Sequence, residues 1–245
     1  MAANSNSLAL ASASSQHADA ADSASLSVTG SITLECYIKM SSAVPTNGYV
    51  WLITKWQDTV SNQRSYGLGL VDAAGTVSLR FVTSNNGTAL DIDAQRTWAP
   101  SLNTWYHVAV VFTSGSKVQF YINGVQQGAD VTTTSTAIFD GTAKLALGAI
   151  NVDGTAREFL DGLIDEPRVW NVARTASQIS TYYQSDVTGQ TGLQAYWQLN
   201  NGYTDASGNS NTLTAVNTPS FSADVPFANY IVVSTGGVFG YSYFM

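Results

Sequence analysis

The stretch from Trp105 to Gly128 reads WYHVAVVFTSGSKVQFYINGVQQG and predicts a pair of antiparallel strands. Apolar residues alternate along His107–Phe112 and again along Lys117–Asn123, and a Ser-Gly turn separates the two runs. The second run ends in Asn123-Gly124. This dipeptide favours a type I′ hairpin turn, because both central positions of that turn need a positive φ.

A second stretch, from Phe159 to Ile179, reads FLDGLIDEPRVWNVARTASQI. It predicts a strand over Leu160–Trp170 that runs through Asn171 into a short helix. Thr175 and Gln178 have the spacing of a capping box, in which each side chain bonds the other residue's backbone N–H. The helix is expected from Ala176 to about Ser185, and no other substantial helix is predicted.

Short runs with strand periodicity fill most of the remaining chain. Turn residues such as Asp72–Gly75 and Asn85–Gly87 separate them. The sequence therefore predicts an all-β fold in which two antiparallel sheets pack face to face, and the 27 aromatic side chains (9 Phe, 6 Trp and 12 Tyr) are enough to fill its core. The further strands are expected at Ile32–Met40, Tyr49–Lys55, Ser65–Val71, Thr76–Thr83, Leu193–Leu199, Thr212–Val216 and Pro219–Phe221.

These motifs resemble the laminin-G-like, pentraxin-type domains of the concanavalin A-like lectin/glucanase superfamily. The family's W-x-H-V-A-V strand corresponds to Trp105–Val110, its Y-x-[ND]-G hairpin to Tyr121–Gly124 and its G-x-I-D-E-x-R-[IV]-W-[ND] segment to Gly162–Asn171. The resemblance covers residues 7–215 and implies a two-sheet antiparallel jelly-roll sandwich.

The domain organisation expected from this resemblance has three parts. Residues 1–6 form an N-terminal extension, residues 7–224 form the jelly-roll domain, and residues 225–245 form an apolar, aromatic C-terminal segment. The strands after residue 192 either close the same sandwich or begin a second copy of it. Closure is favoured, because too few residues follow them to bury a second core.

The superfamily that this chain resembles includes glycoside hydrolases, which use carboxylates as catalysts. Retaining hydrolysis needs two carboxylates about 5–5.5 Å apart. Of the three glutamates, Glu35, Glu158 and Glu166, none lies in the Glu-x-Asp-x-x-Glu pattern of glucanases. Asp165 and Glu166 are neighbours on a predicted strand and are expected on opposite faces, while Glu166 is expected to pair with Arg168. The sequence therefore predicts a protein that is not an enzyme.

Other chemistries find little support in the composition. The chain has two histidines and one cysteine, too few for a zinc site, and no G-x-S-x-G nucleophile motif. His107 is expected to be a structural histidine. A net charge of −7 without a basic stripe argues against nucleic acid as a partner, and no apolar run reaches the length of a membrane span.

Carbohydrate binding needs a shallow polar groove with an aromatic ring. Trp56 and Trp98 are the tryptophans expected in loops, and Asp58 lies beside the first of them. These three residues are the candidate glycan-binding residues, although Trp56 could equally pack in the core. The remaining tryptophans, expected in strands and in the core, are Trp51, Trp105, Trp170 and Trp197.

Calcium is the one cofactor that the sequence suggests. Oxygen-bearing side chains alternate along the loop at Asp205, Ser207, Asn209 and Asn211, as they often do in calcium loops. The loop has a single carboxylate, and Asp-x-Ser-Gly-Asn is also a common Asx-turn composition. Both interpretations stay open at this stage.

The C-terminal segment from Val225 to Met245 carries no charge but many large apolar side chains. Left free it would be prone to aggregate, so it either packs on its own sandwich or docks on another subunit. The residues expected to mediate assembly are Phe227, Tyr230, Phe239, Tyr241, Tyr243 and Phe244.

The sequence begins without a secretory signal, which favours synthesis in the cytoplasm. Together with the tail and the lectin-like fold, this predicts a non-catalytic subunit of a virion or other extracellular surface assembly, such as a bacteriophage capsid decoration or tail fibre. Such a subunit would be homo-oligomeric and would present loops to glycans or cell-surface polysaccharide. The alternatives are a free-standing calcium-dependent lectin and a carbohydrate-binding module belonging to a larger polypeptide.

Overall fold

A computed structural model describes residues 3–58, 62–152 and 154–233 of the chain. Within these residues the strands account for most of the regular structure, and the one α-helix, α1, spans Ala176–Tyr182. The first ten strands are β1 Ser7–Leu10, β2 His17–Ala20, β3 Ile32–Met40, β4 Tyr49–Lys55, β5 Gln57–Asp58, β6 Tyr66–Ala73, β7 Thr76–Thr83, β8 Ile92–Thr97, β9 Trp105–Thr113 and β10 Lys117–Ile122. The remaining strands are β11 Val125–Gln126, β12 Val131–Thr132, β13 Leu145–Leu147, β14 Ile150–Val152, β15 Thr155–Arg157, β16 Gly162–Trp170, β17 Leu193–Tyr196, β18 Leu213–Val216 and β19 Ser220–Ser222.

Two large antiparallel sheets form the sandwich that the sequence predicts. The nine-stranded sheet has the order β11-β10-β9-β3-β16-β1-β19, with β12 beside β10 and β17 beside β16. The seven-stranded sheet has the order β18-β2-β13-β4-β6-β7-β8. The late strands β17, β18 and β19 pair with β16, β2 and β1, so residues 193–222 close the same sandwich.

The core lies between the two sheets, where the inward side chains of each strand meet. Phe81 of β7 and Phe112 of β9 join the sheets, with ring centroids 6.2 Å apart. Asn123 and Gly124 have φ of 49° and 78°, which is the hairpin turn predicted between β10 and β11.

The helix α1 covers part of the outer face of the nine-stranded sheet. Its N-terminus carries the predicted capping box, in which Thr175 and Gln178 accept hydrogen bonds from each other's backbone N–H. Ile179 is the buried residue of the helix and packs on Ala109, Val111 and Tyr121. In the described part of the chain, no helix is long and apolar enough to cross a membrane.

A third, small sheet of β5, β14 and β15 lies against the seven-stranded sheet. In it β14 pairs parallel to β5 and antiparallel to β15. Strand β5 follows β4 after a single residue, and Thr54 of β4 donates a hydrogen bond to the carbonyl of Ala149, just before β14. This three-stranded sheet forms one wall of the candidate site.

Candidate functional site

The candidate site is a cleft on the outer face of the seven-stranded sheet. Side chains that are paired across antiparallel strands point to the same face. The register therefore places Trp51, Gly69 and Arg80 side by side across β4, β6 and β7. The cleft has a volume of about 280 Å³, and its lining comes from this face, from the small sheet and from the loops around Arg64, Leu90 and Glu158.

The floor of the cleft is the indole of Trp51, which lies across two glycines of β6. A Cβ atom added at Gly69 would come within 2.8 Å of Trp51 Cε3, and one added at Gly67 within 3.0 Å of Cζ3. Any larger residue at these positions would push the ring off the strand. Tyr49 continues the floor, with its ring 6.2 Å from that of Trp51 and inclined to it by 18°.

Glu158 fixes the Trp51 indole from the side. Its Oε2 accepts a hydrogen bond of 2.6 Å from Trp51 Nε1, and its carbonyl accepts one from the Trp51 backbone. Glu158 has a φ of 57°, a left-handed conformation that few residues other than glycine adopt.

Asp58 forms a second fixed acceptor on the wall of the cleft. Its Oδ1 accepts a hydrogen bond of 2.9 Å from Trp56 Nε1 and also pairs with Arg64 Nε. Arg64 in turn donates to the carbonyl of Thr88. The guanidinium and the carboxylate are therefore held in place before any ligand arrives.

Arg80 lies over the aromatic floor, 4.9 Å from the Tyr49 ring centroid. Asp93 of β8 holds it with two hydrogen bonds of 2.8 Å each. Burial tends to lower the pKa of the Arg80 guanidinium, but the bonds to Asp93 outweigh it and raise that pKa. The bond to Arg80 in turn lowers the pKa of Asp93. Arg64 and Arg80 line the cleft together with Asp58 and Glu158, and each arginine is already paired with a carboxylate.

The structure brings two of the three predicted glycan residues into this cleft. Trp56 and Asp58 line it, whereas Trp98 packs edge-on against Tyr106 beside the core, with centroids 5.1 Å apart. Trp56 is only 4% exposed and is buried among Trp51, Val82 and Ile150. Its ring is not open for a sugar to stack on, so the packing alternative describes it.

The expectation that the strand tryptophans are core residues is confirmed for three of them and wrong for Trp105. Trp197 lies in the largest core cluster, and Trp51 and Trp170 are buried in two smaller ones. Trp105 is half-buried and donates its indole N–H to Asp224 at 2.8 Å. Trp51 was missed as a site residue. The signal for it was the Gly-Leu-Gly run at residues 67–69, which leaves a strand without side chains on one face.

The four predicted calcium ligands come together, but as a closed hydrogen-bond network. The Asp205 carboxylate accepts from the backbone N–H groups of Tyr196, Ser207 and Asn211 and from the side chains of Ser207 and Asn211. The Asn209 amide donates to the carbonyl of Gln194. This geometry fits the Asx-turn alternative, and calcium at the loop stays a prediction.

Two of the six predicted assembly residues lie on this chain's own sandwich. Tyr230 is buried and donates a hydrogen bond of 2.6 Å to Glu166 Oε1, and the Phe227 ring packs edge-on against Tyr37 and Tyr230. The bridge between Ala3 and Asn229 ties the N-terminal residues to the same surface. The other four, Phe239, Tyr241, Tyr243 and Phe244, lie outside the described residues.

Asp165 and Glu166 do not point to opposite faces, and that prediction was wrong. A β-bulge interrupts the pairing of β16 with β3 between Asp165 and Arg168, and Glu166 has a φ of 53°. The extra residue turns both carboxyl groups to the outer face of the nine-stranded sheet. The expected pair of Glu166 with Arg168 is confirmed, at 3.0 Å.

A buried polar cluster surrounds these two carboxyl groups. Asn4 donates to Asp165 at 2.8 Å, while the hydroxyls of Tyr196 and Tyr230 donate to Glu166. Burial raises the pKa of Asp165, and the negative charge of Glu166 raises it further. His107 bonds Glu35 at 3.0 Å in the same layer, which confirms it as a structural histidine.

Solved structures share the fold of this chain at low sequence identity. A Bacteroides ovatus protein described as carbohydrate-binding matches with a TM-score of 0.62 and 20% identity over 89% of this chain, which spans 59% of that protein. A heptameric SAP-like pentraxin from Limulus polyphemus matches with a TM-score of 0.61 and 16% identity, over 89% of this chain and 94% of its own. The CBM40 module of the Ruminococcus gnavus IT-sialidase matches with a TM-score of 0.56 and 14% identity, over 72% of this chain and 95% of its own.

These likenesses establish the fold and nothing finer. Among curated proteins none matches the sequence significantly. The family model for the concanavalin A-like lectin/glucanases superfamily, of laminin-G type, matches residues 12–180, which is more than half of the chain. The jelly-roll sandwich, the strand order and this match lead to one conclusion: the chain belongs to the concanavalin A-like lectin/glucanases superfamily.

Proposed function

We propose that this chain is a non-catalytic carbohydrate-binding module that holds a neutral sugar in the Trp51 cleft. The observation that carries the proposal is the cleft itself, in which the half-buried Tyr49 ring presents apolar surface beside the buried Trp51 indole and charged side chains are already held in place. Sugar recognition needs this combination of an apolar surface with fixed polar groups. The fold shared with a described carbohydrate-binding protein and with a CBM40 module supports it.

The charge balance of the cleft favours a neutral ligand. A related CBM40 structure holds sialyllactose, whose sialic acid carries a carboxylate. Recognition of a carboxylate is strongest with an arginine whose donors are free for it. Here Arg64 is paired with Asp58, and Arg80 is paired with Asp93. An acidic sugar would have to displace one of these pairs.

The state of the carboxylates supports binding rather than hydrolysis. A glycosidase needs a general acid with a raised pKa that reaches the substrate. Asp165 and Glu166 have a raised pKa, but they are buried under the terminal segments on the other sheet. In the cleft, Asp58 and Glu158 each already accept an indole N–H.

Calorimetric titration with matched variants tests the proposal. Lactose, maltotriose, cellotriose and xylotriose are the neutral probes, and α2,3-sialyllactose is the acidic one. Tyr49→Ala removes half-buried apolar surface and Glu158→Gln removes a charged acceptor. Each should weaken the binding of a neutral sugar about tenfold, equivalent to about 1.4 kcal/mol.

Trp98→Ala is the control, because it truncates a tryptophan that lies outside the cleft. We expect its affinity to match that of the unchanged protein. The proposal fails if Trp98→Ala abolishes sugar binding while Tyr49→Ala and Glu158→Gln leave it intact, or if none of the neutral sugars binds.

A subunit role in a virion or other surface assembly is the second candidate. The observation that favours it is apolar surface at the end of the described chain, where Ile231 is half-exposed and Val232 is 70% exposed. The twelve residues from Ser234 to Met245 carry no charge. Exposed apolar surface of this kind often marks a contact with another protein.

A further inference from the structure

The small sheet of β5, β14 and β15 divides the outer face of the seven-stranded sheet into two halves. Successive side chains of a strand point to opposite sides. Ile150 and Val152 of β14 line the Trp51 cleft, whereas Asn151 between them lines a second cavity on the other side. Gln57, which pairs with Asn151, lines that second cavity too. One thin wall therefore presents a different surface to each half.

This second cavity, which we call the β2 groove, has a volume of about 700 Å³. That is within the range of small-molecule sites. His17 and Asp19 of β2 form its floor, because they point away from the core beside Val216 and Thr214 of β18. Phe159 closes one side, with its ring centroid 5.8 Å from that of His17.

The polar groups of the β2 groove have hydrogen-bonding capacity to spare. The Asp19 carboxylate has two ion-pair contacts, 3.6 Å to His17 Nε2 and 3.7 Å to Lys144 Nζ, and both exceed hydrogen-bond distance. Asn151 Oδ1 is buried and has no hydrogen-bond partner. Buried polar groups normally have partners, so an unpaired acceptor in the wall of this cavity is unusual.

The chemistry of the lining selects a class of ligand. Among the lining residues that the structure describes, one carboxylate, Asp19, faces one ammonium group, Lys144, which is 64% exposed. A calcium ion would need more carboxylates, and a phosphate or nucleic acid would need more cations. Apart from the His17 imidazole, the remaining polar side chains of the lining are amides and hydroxyls, which suit a neutral, polyhydroxylated molecule with an apolar face for Phe159.

We propose that the β2 groove is a second saccharide-binding site, separate from the Trp51 cleft. Sugar hydroxyls donate to Asp19, and the side-chain amides of Asn151 and Gln57 bond neighbouring hydroxyls. The floor strand β2 lies three strand spacings from β6 of the cleft, about 14 Å. Two sites at this spacing on one face would bind a polysaccharide more tightly than either site alone.

A ¹⁵N–¹H spectrum of the full chain separates the two sites. The indole N–H signals of Trp51 and Trp56 report on the cleft, and the side-chain amide signals of Gln57 and Asn151 report on the β2 groove. Lactose, maltotriose, cellotriose and xylotriose are each titrated to millimolar concentration. We expect at least one of them to shift the groove amides with a saturable dependence on concentration.

Asn151→Ala distinguishes a binding role from a structural one. Because Asn151 Oδ1 has no partner, its removal costs no hydrogen bond, and the melting temperature should stay the same or rise. The groove affinity should fall at least tenfold. Lys144→Ala, at an exposed position, is the second variant in case the first does not fold, and it should also weaken groove binding. Gln127→Ala, a half-buried amide beside β11 and outside the groove, is the control that should leave groove binding unchanged.

The outcomes for the two sites are independent. Groove shifts without indole shifts support the second site and contradict the proposed role of the cleft. Indole shifts alone support the cleft and overturn the second site. No saturable amide shift with any of the four sugars, or an unchanged groove affinity in both Asn151→Ala and Lys144→Ala, would equally overturn it.

Discussion

The pKa of Asp165 connects one buried side chain to the pH dependence of the whole sandwich. Burial and the neighbouring charge of Glu166 raise this pKa well above its ordinary value. A carboxyl group with a raised pKa in the folded state stabilises the fold fully only below its unfolded pKa, near 3.9. That contribution is lost as the pH rises towards neutrality.

Asp165→Asn should therefore stabilise the protein at neutral pH. The amide is a neutral mimic of the protonated carboxyl group and also removes the repulsion with Glu166. We expect a gain in the free energy of unfolding on the order of 1 kcal/mol or more at pH 7 that disappears as the pH falls towards 4. Urea unfolding at several pH values measures it.

Asp130→Asn is the matched control for this change. Asp130 is half-exposed, and its bond with Lys117 lowers its pKa, so its substitution should give no gain at any pH. A loss of stability in Asp165→Asn that is the same at every pH would contradict the account of Asp165.

Glu35 on the neighbouring strand β3 affects stability in the opposite direction. Burial tends to raise its pKa, but the charge of Arg168 and the hydrogen bond from His107 outweigh burial and lower it to about 2. The stability that this group supplies is present above its unfolded pKa and is lost as the pH falls through 4 towards 2. Asp165 therefore lowers the stability of the fold as the pH rises, and Glu35 lowers it as the pH falls.

At the scale of elements, the loop from Asp205 to Asn211 has a sequence that fits both a calcium site and an Asx turn. The Asp205 carboxylate accepts hydrogen bonds from three backbone N–H groups and two side chains. A calcium ion would have to displace several of these donors. We expect neither millimolar calcium nor a chelator to change the melting temperature.

Asp205→Ala should nevertheless lower the free energy of unfolding, by about 2 kcal/mol, because it leaves buried donors without an acceptor. Ser177→Ala on the exposed face of α1 is the control and should change stability little. A rise in melting temperature on adding calcium that disappears in Asp205→Asn would instead establish a calcium site.

The strands were predictable from sequence where their pattern is regular. Ile32–Met40, Tyr49–Lys55 and Thr76–Thr83 begin and end as predicted, because apolar alternation or a continuous apolar run marks them. The bulge at Glu166 was not predictable, since one extra residue leaves no mark on that pattern. Its effect was large, because it moved a carboxyl group to the other face.

The candidate site was only partly predictable, because its residues come from distant parts of the chain. Trp56 and Asp58 stand out as loop residues, but the cleft also needs Glu158, which is a hundred residues away. Its position depends on β14 pairing with β5, a parallel contact between two very short strands. Short strands of two or three residues carry too little pattern to predict such a pairing.

At the scale of the whole molecule, the proposed assembly role rests on the C-terminal tail. Phe227 and Tyr230 cover this chain's own polar cluster, so they are not free to contact a partner. The test therefore leaves them unchanged and replaces Phe239, Tyr241, Tyr243 and Phe244 with serine. If the tail mediates assembly, light scattering should give an oligomer for the unchanged chain and a monomer for the variant.

Equal masses for the two proteins would contradict an assembly role for these four aromatic residues. Replacement of Leu102 by serine serves as the control, because it removes an exposed apolar side chain far from the tail in sequence. This control should leave the mass unchanged.

The central claim is that the outer face of the seven-stranded sheet is the sugar-binding surface. A crystal structure of the full chain with the neutral oligosaccharide that binds most tightly tests it most directly. The account predicts sugar density in the cleft, in contact with Tyr49 and between Glu158 and Asp58. Density found only at the Asp205 loop, or only on the outer face of the nine-stranded sheet, would contradict it.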